Sequence, residues 1–412
     1  MLVAKVFVVL VCAATTVKAI AKLEEVFAWK QVTFTWPSAE TEKIAKEEGD
    51  YEPKNNLPLG LARWKDKLFV TVPRWKSGVA ATLGYVSLNE PINKTAAITP
   101  YPDWKAHILP KNDSKPDPNT LVSIFRVAVD KCDRLWAMDT GLADILGNPK
   151  QVLPPSIAIF DLNTDKLIRR YTIKSDWVSE DAFFANIEVD VKGDRCDEAF
   201  AYLPNLGSYE LVVYSFQEDD SWRFKHNFFH FDPLKGDFNV SGVNFQWSDG
   251  IFSIALGPEE PNGYRTAYFH ALASLNEFSV NTEVLQNQTL AADPHNYHLF
   301  KLEGSKGENS QTASSVFDQQ SNVLFVSQQN KDGVACWNPK KPLNPQNVPL
   351  IIEDHEKLVF INDLKIDADR NLWILSDKLS HFLYRELSPE EVNYRILKIK
   401  VDDAIEGSIC KV

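Results

Sequence analysis

The amino-acid sequence predicts an all-β protein, a six-bladed β-propeller with a central ligand channel. Three observations carry this prediction. A phrase of two short strands recurs six times, its copies are almost evenly spaced, and aromatic and β-branched residues are abundant. Each blade of a propeller is a small sheet that must pack against its neighbours, so such a repeat is typical of this architecture. An irregular sandwich of two sheets is the alternative.

The repeated phrase consists of alternating apolar residues, a polar turn and a second strand that contains an aromatic residue. Its copies span residues 59–73, 125–141, 186–204, 252–272, 314–329 and 363–377. The second strands begin 48 to 68 residues apart, at Leu68, Leu135, Ala199, Ala267, Leu324 and Leu372. We interpret each copy as the inner hairpin of one blade. Acidic residues recur in the turns at Asp130, Asp190 and Asp367, which indicates turn formation rather than catalysis.

Two segments outside the repeat are interpreted from their composition. Residues 25–36 are strand-like, and we expect them to pair with residues 394–401 in the last blade and so close the ring. The charged segment 39–56 predicts a loop that contains a short helix before Gly49.

The overall charge limits the possible partners. The net charge is −12, and Lys and Arg form no block, which argues against a nucleic-acid partner. An acidic surface is compatible with a cationic ligand. No segment after the N-terminal region approaches the length of a membrane span, so no membrane partner is expected.

The first residues have the order of a secretory signal peptide. Lys5 precedes an apolar run over residues 6–14, and small residues follow at Val17, Ala19 and Ala21. The apolar run is too short to cross a bilayer. We assign residues 1–19 to the signal peptide and residues 20–412 to a single propeller domain, and we expect a secreted monomer.

The cysteines and sequons agree with secretion. After loss of Cys12, four cysteines remain: Cys132, Cys196, Cys336 and Cys410. An even number is typical of disulfides in an oxidising compartment. Sequence alone leaves three pairings open, and adjacent blades favour Cys132 with Cys196 and Cys336 with Cys410. Glycosylation sequons stand at Asn93, Asn112, Asn239 and Asn287.

Catalytic and metal-binding signatures are scarce. The sequence contains no nucleophile elbow, zinc-protease, P-loop, dinucleotide-binding or EF-hand motif, so we predict no catalytic residue and no cofactor. His226 and His230 are four apart, but on an outer strand they would lie about 13 Å from each other, too far to share a metal ion. His295 and His298 fall in a polar loop. His107 and His270 remain as spare candidates for a general base.

The loops that enter the inner strands should surround one mouth of the channel. They span residues 121–125, 183–187, 244–250, 309–315 and 359–364. Their aromatic, amide and hydroxyl side chains suit a small aromatic amine, whose ring stacks and whose ammonium meets an aromatic face, a carboxylate or an amide oxygen. Phe245, Thr312, Phe360 and Asn362 are the candidate contacts in these loops.

Several blocks of the sequence resemble the yellow / major royal jelly protein family. They cover residues 55–86, 125–141, 154–162, 202–216 and 360–377. The resemblance implies a six-bladed propeller, secretion and disulfides. It is closest to the salivary yellow-related proteins of blood-feeding sand flies, which bind biogenic amines such as serotonin, catecholamines and histamine and so counteract host haemostasis and inflammation. An enzyme acting on dopachrome-like catechols is the alternative within the family. A nutritive protein is a third reading, and the composition lacks the bias of a storage protein.

The resemblance also implies three ligand contacts. They fall on the side-chain amide of Asn362, on the backbone of Leu364 and on a polar residue near Asn347. The related proteins often carry Thr where this chain has Asn347, and an aromatic residue is expected where it has Leu364.

Overall fold

Six antiparallel sheets of four strands each form a ring in the computed structural model, which describes residues 22–111 and 114–412. The innermost strand of each sheet contacts that of the next, and the sixth contacts the first. The prediction of a six-bladed β-propeller is therefore confirmed. The assigned signal peptide, residues 1–19, and the sequon at Asn112 lie outside the described residues.

Each blade is one sheet whose strands follow one another from the axis outward. In blades 1 to 3 the strands are Leu61–Trp64, Lys67–Thr71, Leu83–Ser87 and Thr99–Pro100; Ile124–Val129, Arg134–Asp139, Ser156–Asp161 and Lys166–Thr172; and Glu188–Val191, Ala199–Asn205, Glu210–Ser215 and Asp220–Lys225. In blades 4 to 6 they are Ile251–Glu259, Arg265–Ala271, Asn276–Asn281 and Lys301–Ser305; Ser315–Asp318, Val323–Gln328, Gly333–Trp337 and Leu350–Glu353; and Ile361–Ile366, Asn371–Ser376, Tyr394–Lys400 and Glu24–Trp29. The six predicted phrases are the six inner hairpins.

The ring is closed by the N-terminal strand. Glu24–Trp29 pairs antiparallel with Tyr394–Lys400 and forms the outer edge of blade 6, as predicted. The rings of Phe27 and Trp29 are buried in the core beneath this strand. Because the two ends of the chain meet in one sheet, the ring cannot open without losing this pairing.

The recurring acidic turns have a structural explanation. Asp130 accepts hydrogen bonds from the backbone of Cys132 and Arg134 and from the indole of Trp136. Asp367 does the same in blade 6, with the indole of Trp373 at 2.7 Å. In blades 2 and 6, the carboxylate thus joins the turn to the aromatic residue of the second strand.

Asp190 departs from this pattern. Its carboxylate accepts hydrogen bonds from Arg265 in the next blade, from Tyr202 and from Gln286. It therefore joins two blades rather than forming its own turn.

Two disulfides stabilise the ring. Cys132 and Cys196 join the hairpin turns of blades 2 and 3, and Cys336 in blade 5 holds Cys410 in the C-terminal segment. These are the two pairs favoured by the arrangement of blades. With sequence separations of 64 and 74 residues, each bridge contributes about 4 kcal/mol by restricting the unfolded chain.

Short helices and two small hairpins fill the loops. The α-helices are Ala39–Glu47, Thr282–Leu285, Gln288–Ala292, Leu379–Tyr384 and Val401–Ala404; the 3₁₀ segments are Pro53–Asn55, Trp104–His107, Ser175–Trp177, Asn227–Phe229, Asn296–Leu299, Gln329–Lys331 and Pro345–Asn347. The small hairpins pair Leu142–Ala143 with Lys150–Gln151 and Asp237–Val240 with Val243–Gln246. Ala39–Glu47 is the helix expected before Gly49. Among the described residues, no helix is long and apolar enough to cross a membrane.

Three of the predicted glycosylation sites lie on the surface. Asn93, Asn239 and Asn287 are exposed, so a glycan at any of them would meet solvent. Their modification stays a prediction.

The axis of the propeller is closed by one side chain. Arg126 belongs to the inner strand of blade 2, yet its guanidinium donates hydrogen bonds to the carbonyls of Ala313 and Asn362. It also lies over the ring of Phe252, 4.9 Å from the centroid, and 3.9 Å from a carboxylate oxygen of Asp363. These partners belong to blades 4, 5 and 6, so the side chain must span the axis. The predicted central ligand channel is not shown. Instead, the structure has two separate cavities, and Arg126 lies along its strand between residues that line one and residues that line the other.

Asp363 compensates the buried charge of Arg126 and also connects blades. Its carboxylate accepts hydrogen bonds from the backbone of Leu61 in blade 1 and the hydroxyl of Ser314 at the entry to blade 5. Arg126 and Asp363 are both buried, and burial lowers the pKa of Arg126 although Asp363 opposes this shift. Because a buried charge without its partner is costly, each group depends on the other.

We predict that Asp363→Asn lowers the free energy of unfolding by about 3–5 kcal/mol, since it leaves the guanidinium of Arg126 buried without a counter-charge. Chemical denaturation measures the loss. Asp165→Asn removes an exposed ion pair with Lys67 and serves as the control, with an expected loss below about 1 kcal/mol.

The double variant Arg126→Met, Asp363→Asn should lose less stability than the two single variants together. Losses that simply add would show that the two charges do not stabilise each other.

Candidate ligand-binding site

A cavity of about 370 Å³ lies where the chain enters the inner strands. Its lining is mainly aromatic and aliphatic: Leu59, Trp75, Phe125, Leu146, Phe183, Ala185, Leu206, Trp247, Asp249, Phe252, Leu272, Phe360, Asn362, Leu379, Leu383 and Tyr384. Two larger hollows lie away from the axis, one beside the helix Ala39–Glu47 and one beside the 3₁₀ segment Asn227–Phe229. We call the axial cavity the mouth cavity.

Four of the five predicted mouth loops contribute to this lining. They are the loops over residues 121–125, 183–187, 244–250 and 359–364, whereas 309–315 contributes no lining residue. Most of the other walls come from segments that follow the second strands of blades, because these segments reach the same face of the ring. Leu59, before the inner strand of blade 1, and Phe252, in the inner strand of blade 4, complete the lining.

The aromatic side chains form two groups. Trp75, Phe125 and Phe183 are packed edge to face or tilted, with the Phe125 and Phe183 centroids 4.8 Å apart. Trp247 meets Phe360 edge to face at 5.7 Å. Such surfaces suit a flat apolar ring, because aromatic rings prefer offset or edge contacts.

Of the described residues that line the mouth cavity, Asp249 is the single charged one. Within the described part of the chain, its carboxylate makes no hydrogen bond or ion pair. Burial raises the pKa of Asp249 to about 6, and no charged neighbour contributes to that shift. An unpaired carboxylate in an apolar site favours a cationic ligand, since a cation would restore the lost solvation.

Asn362 presents a second polar group and is held in place by Asp377. Its Nδ2 donates a hydrogen bond to the Asp377 carboxyl at 2.6 Å. The same carboxyl accepts from the backbone of Leu379, where the helix Leu379–Tyr384 begins. Burial raises the pKa of Asp377 well above its usual range, and the Asn362 hydrogen bond opposes this shift. Asn362 Oδ1 takes no hydrogen bond from the described residues and remains available to a ligand.

Trp75 supplies a third polar group. Its indole nitrogen is buried and has no hydrogen-bond partner among the described residues. In the lining of an otherwise apolar cavity, this N–H is a donor for an oxygen atom of a ligand.

The other predicted contact residues are placed differently. Phe360 lines the cavity, and Phe245 lies behind the lining, stacked on Tyr384 at 5.2 Å. Leu364 and Thr312 are buried beside the lining but are not part of it, and the backbone of Leu364 donates to Ser314. Asn347 lies in a 3₁₀ segment of blade 5, where its amide donates to Pro342. The structure thus brings Asn362 and Phe360 together and leaves Asn347 away from this cavity.

The histidines lie outside the lining. His226 follows the strand that ends at Lys225 and caps a 3₁₀ segment, and His230 stacks on Tyr209, so the predicted outer strand over both residues is wrong. His270 does have a carboxylate partner, Glu277, but both are fully buried.

His107 is buried between Tyr101 and Thr82. Burial lowers its pKa to about 3. Among the described residues, no group of side chains is arranged to hold a metal ion.

Sequence analysis missed Asp249 and Trp75 as site residues. Asp249 lies in a predicted mouth loop, but the sequence does not show whether a single acidic residue in a polar loop is buried or solvated. Trp75 follows the second strand of the first phrase, and its position could have been inferred because such loops share the face of the entering loops.

Comparisons with known proteins identify the family of this chain. The sequence profile described as Major royal jelly protein matches residues 122–410. Protein yellow of Drosophila erecta is 39% identical over 407 residues, which cover 98% of this chain and 74% of the relative. Protein yellow of Drosophila melanogaster is 38% identical with the same coverage.

Among solved structures, virginiamycin B lyase from Staphylococcus aureus has a TM-score of 0.40 at 8% identity, covering 85% of this chain and 98% of that chain. A likeness this weak supports no inference. Profile and identity together show that the chain belongs to the yellow / major royal jelly protein family.

Proposed function

We propose that this protein binds small aromatic amines in the mouth cavity and sequesters them from solution. The observation that carries the proposal is the unpaired carboxylate of Asp249 in a lining that is otherwise apolar and aromatic. A purely apolar cavity would favour a neutral ligand, whereas one buried carboxylate selects a single positive charge.

The ligand class follows from the three polar groups and the ring surfaces. The ammonium would meet Asp249, the ring would pack among the aromatic side chains, and a ring hydroxyl would accept from Trp75 or donate to Asn362. Serotonin and the catecholamines are small cations with a hydroxylated aromatic ring, and histamine is a small cation with an aromatic imidazole ring. A cavity of about 370 Å³ is in the range that encloses small molecules.

The wider setting is part of the same proposal. Two disulfides are typical of an oxidising compartment, and the N-terminal residues have the order of a signal peptide. We propose secretion into saliva, where capture of amines counteracts host haemostasis and inflammation. A scavenger acts by stoichiometry, and a micromolar dissociation constant corresponds to about −8 kcal/mol.

The alternative is conversion of dopachrome-like catechols, which needs a general base beside the substrate. Asp249 and Tyr384 are the titratable side chains in the described lining. No observation favours this alternative, and turnover of dopachrome by the purified protein would establish it.

We expect isothermal titration with serotonin to show about one site per chain. Asp249→Asn should weaken binding at least tenfold, a loss of about 1.4 kcal/mol, because the ammonium loses its counter-charge. The same variant should not melt at a lower temperature, since it removes an unpaired buried charge. Asp194→Asn, an exposed acid far from the cavity, is the matched control. Unchanged affinity in Asp249→Asn would refute the assigned role.

Asn362→Ala should weaken serotonin binding and also lower the free energy of unfolding by about 1–3 kcal/mol, because the Asp377 carboxyl loses its donor. Asn393→Ala is the matched control. Asn393 is equally buried and donates to Lys30 and Ser388, away from the cavity. It should lose stability and keep its affinity. Equal affinity in both variants would remove Asn362 from the site.

Serotonin affinity should fall as the pH drops through about 6, where Asp249 becomes neutral while the amine stays protonated. The raised pKa also means that this carboxyl favours the folded state at low pH. That contribution is lost as the pH rises through the usual Asp value and then through about 6. Isothermal titrations with serotonin between pH 5 and pH 8 measure the fall in affinity. The affinity of Asp249→Asn should not change with pH over this range. A wild-type profile without a step would contradict the assignment.

A further inference from the structure

A second cavity lies on the axis, on the other side of Arg126. Its volume is about 400 Å³, and residues of the inner strands of blades 2, 3, 4, 5 and 6 line it. Only the axis is common to five blades, so the cavity occupies the opposite end of the ring. We call it the far cavity.

Most charges of the far cavity already have partners. Arg370 binds Asp318 at 2.9 Å and also Asp402. Asp367 binds Arg63 at 2.6 Å and the turn described above. These ion pairs and hydrogen bonds stabilise the hairpin turns.

Two lining charges remain without partners. Glu188 and Lys365 make no hydrogen bond or ion pair with any described residue. Both side chains are partly buried. They lie close enough for Lys365 to oppose the rise that burial causes in the pKa of Glu188, which reaches about 7. The two charges therefore face the same space without touching.

Their positions in the ring place them on opposite walls. Glu188 begins the inner strand of blade 3, and Lys365 lies in the inner strand of blade 6. In a ring of six blades, the third and the sixth are diametrically opposed. A carboxylate and an ammonium thus lie across the axis from each other, and neither forms a hydrogen bond or an ion pair with another described residue.

We propose that the far cavity binds a small zwitterion, a molecule with an ammonium group at one end and a carboxylate at the other. The ammonium meets Glu188 and the carboxylate meets Lys365, so each wall charge gains a partner of opposite sign. A simple cation or anion would pair with one wall and be repelled by the other. The amides of Gln319 and Gln320 in the blade 5 turn add neutral hydrogen-bonding groups.

This site is independent of the proposed amine site. Arg126 lies between the two linings along the inner strand of blade 2, and none of the described residues lines both cavities. A zwitterion at saturating concentration should therefore leave the serotonin dissociation constant unchanged.

The test is isothermal titration of the full chain with γ-aminobutyric acid, β-alanine and glycine. In this order, the ammonium and the carboxylate of the ligand are progressively closer together. At least one should bind at one site per chain, and butylamine and butyrate, which carry one charge each, should bind at least tenfold more weakly. Binding by butylamine or butyrate as tight as by the zwitterions would overturn the proposal, as would no heat signal from any of the three.

Variants of the two wall charges give a sharper test. Glu188→Gln and Lys365→Met should each weaken zwitterion binding at least tenfold and leave serotonin binding unchanged. The exchange variant, Glu188→Lys with Lys365→Glu, should recover binding, because a zwitterion can turn end for end. Unchanged melting temperatures show that the variants fold. If one single variant does not fold, the other single variant provides the test. Loss of binding in the exchange variant as complete as in the single variants would contradict the pairing.

Discussion

The buried contact between Arg126 and Asp363 holds the centre of the ring together across the axis. A long side chain from blade 2 reaches partners in blades 4, 5 and 6, so it joins parts of the ring that strand pairing does not connect. A guanidinium buried this deeply needs a counter-charge and carbonyl acceptors. Residues of blade 6 and of the entry to blade 5 supply them. Along the inner strand of blade 2, Arg126 lies between Phe125, which lines the mouth cavity, and Ala128, which lines the far cavity.

Each cavity is lined by a carboxylate, Asp249 or Glu188, that forms no hydrogen bond or ion pair with the described residues. Burial raises the pKa of Asp249 and of Glu188, which means that each carboxylate destabilises the folded chain in its ionised form. Groups of this kind concentrate at functional sites, because a ligand of opposite charge recovers the lost energy. The stability that the ring gains from its disulfides and its closure strand can offset such a cost.

The two ends of the ring differ because their loops have different duties. At the far end, acids such as Asp130 and Asp367 fix the hairpin turn and orient a Trp of the second strand. At the mouth, the connections carry aromatic residues that line the cavity. The helix Leu379–Tyr384 closes one wall there, and Tyr384 accepts a hydrogen bond from the indole of Trp247.

The amino-acid sequence was enough to predict the blade count, the inner hairpins, the closing strand and most of the loops around the mouth. These features follow from local alternation of apolar residues and from turn chemistry, which short stretches of chain encode. It also singled out Asn362 and Phe360. The three-dimensional structure was needed to show that Arg126 spans the axis, that the partly buried Asp249 and Glu188 form no ion pair with the described residues, and that Asn347 lies outside the mouth cavity. The physical reason is that burial and charge pairing depend on residues far apart in the chain, and no local pattern states which of them will meet.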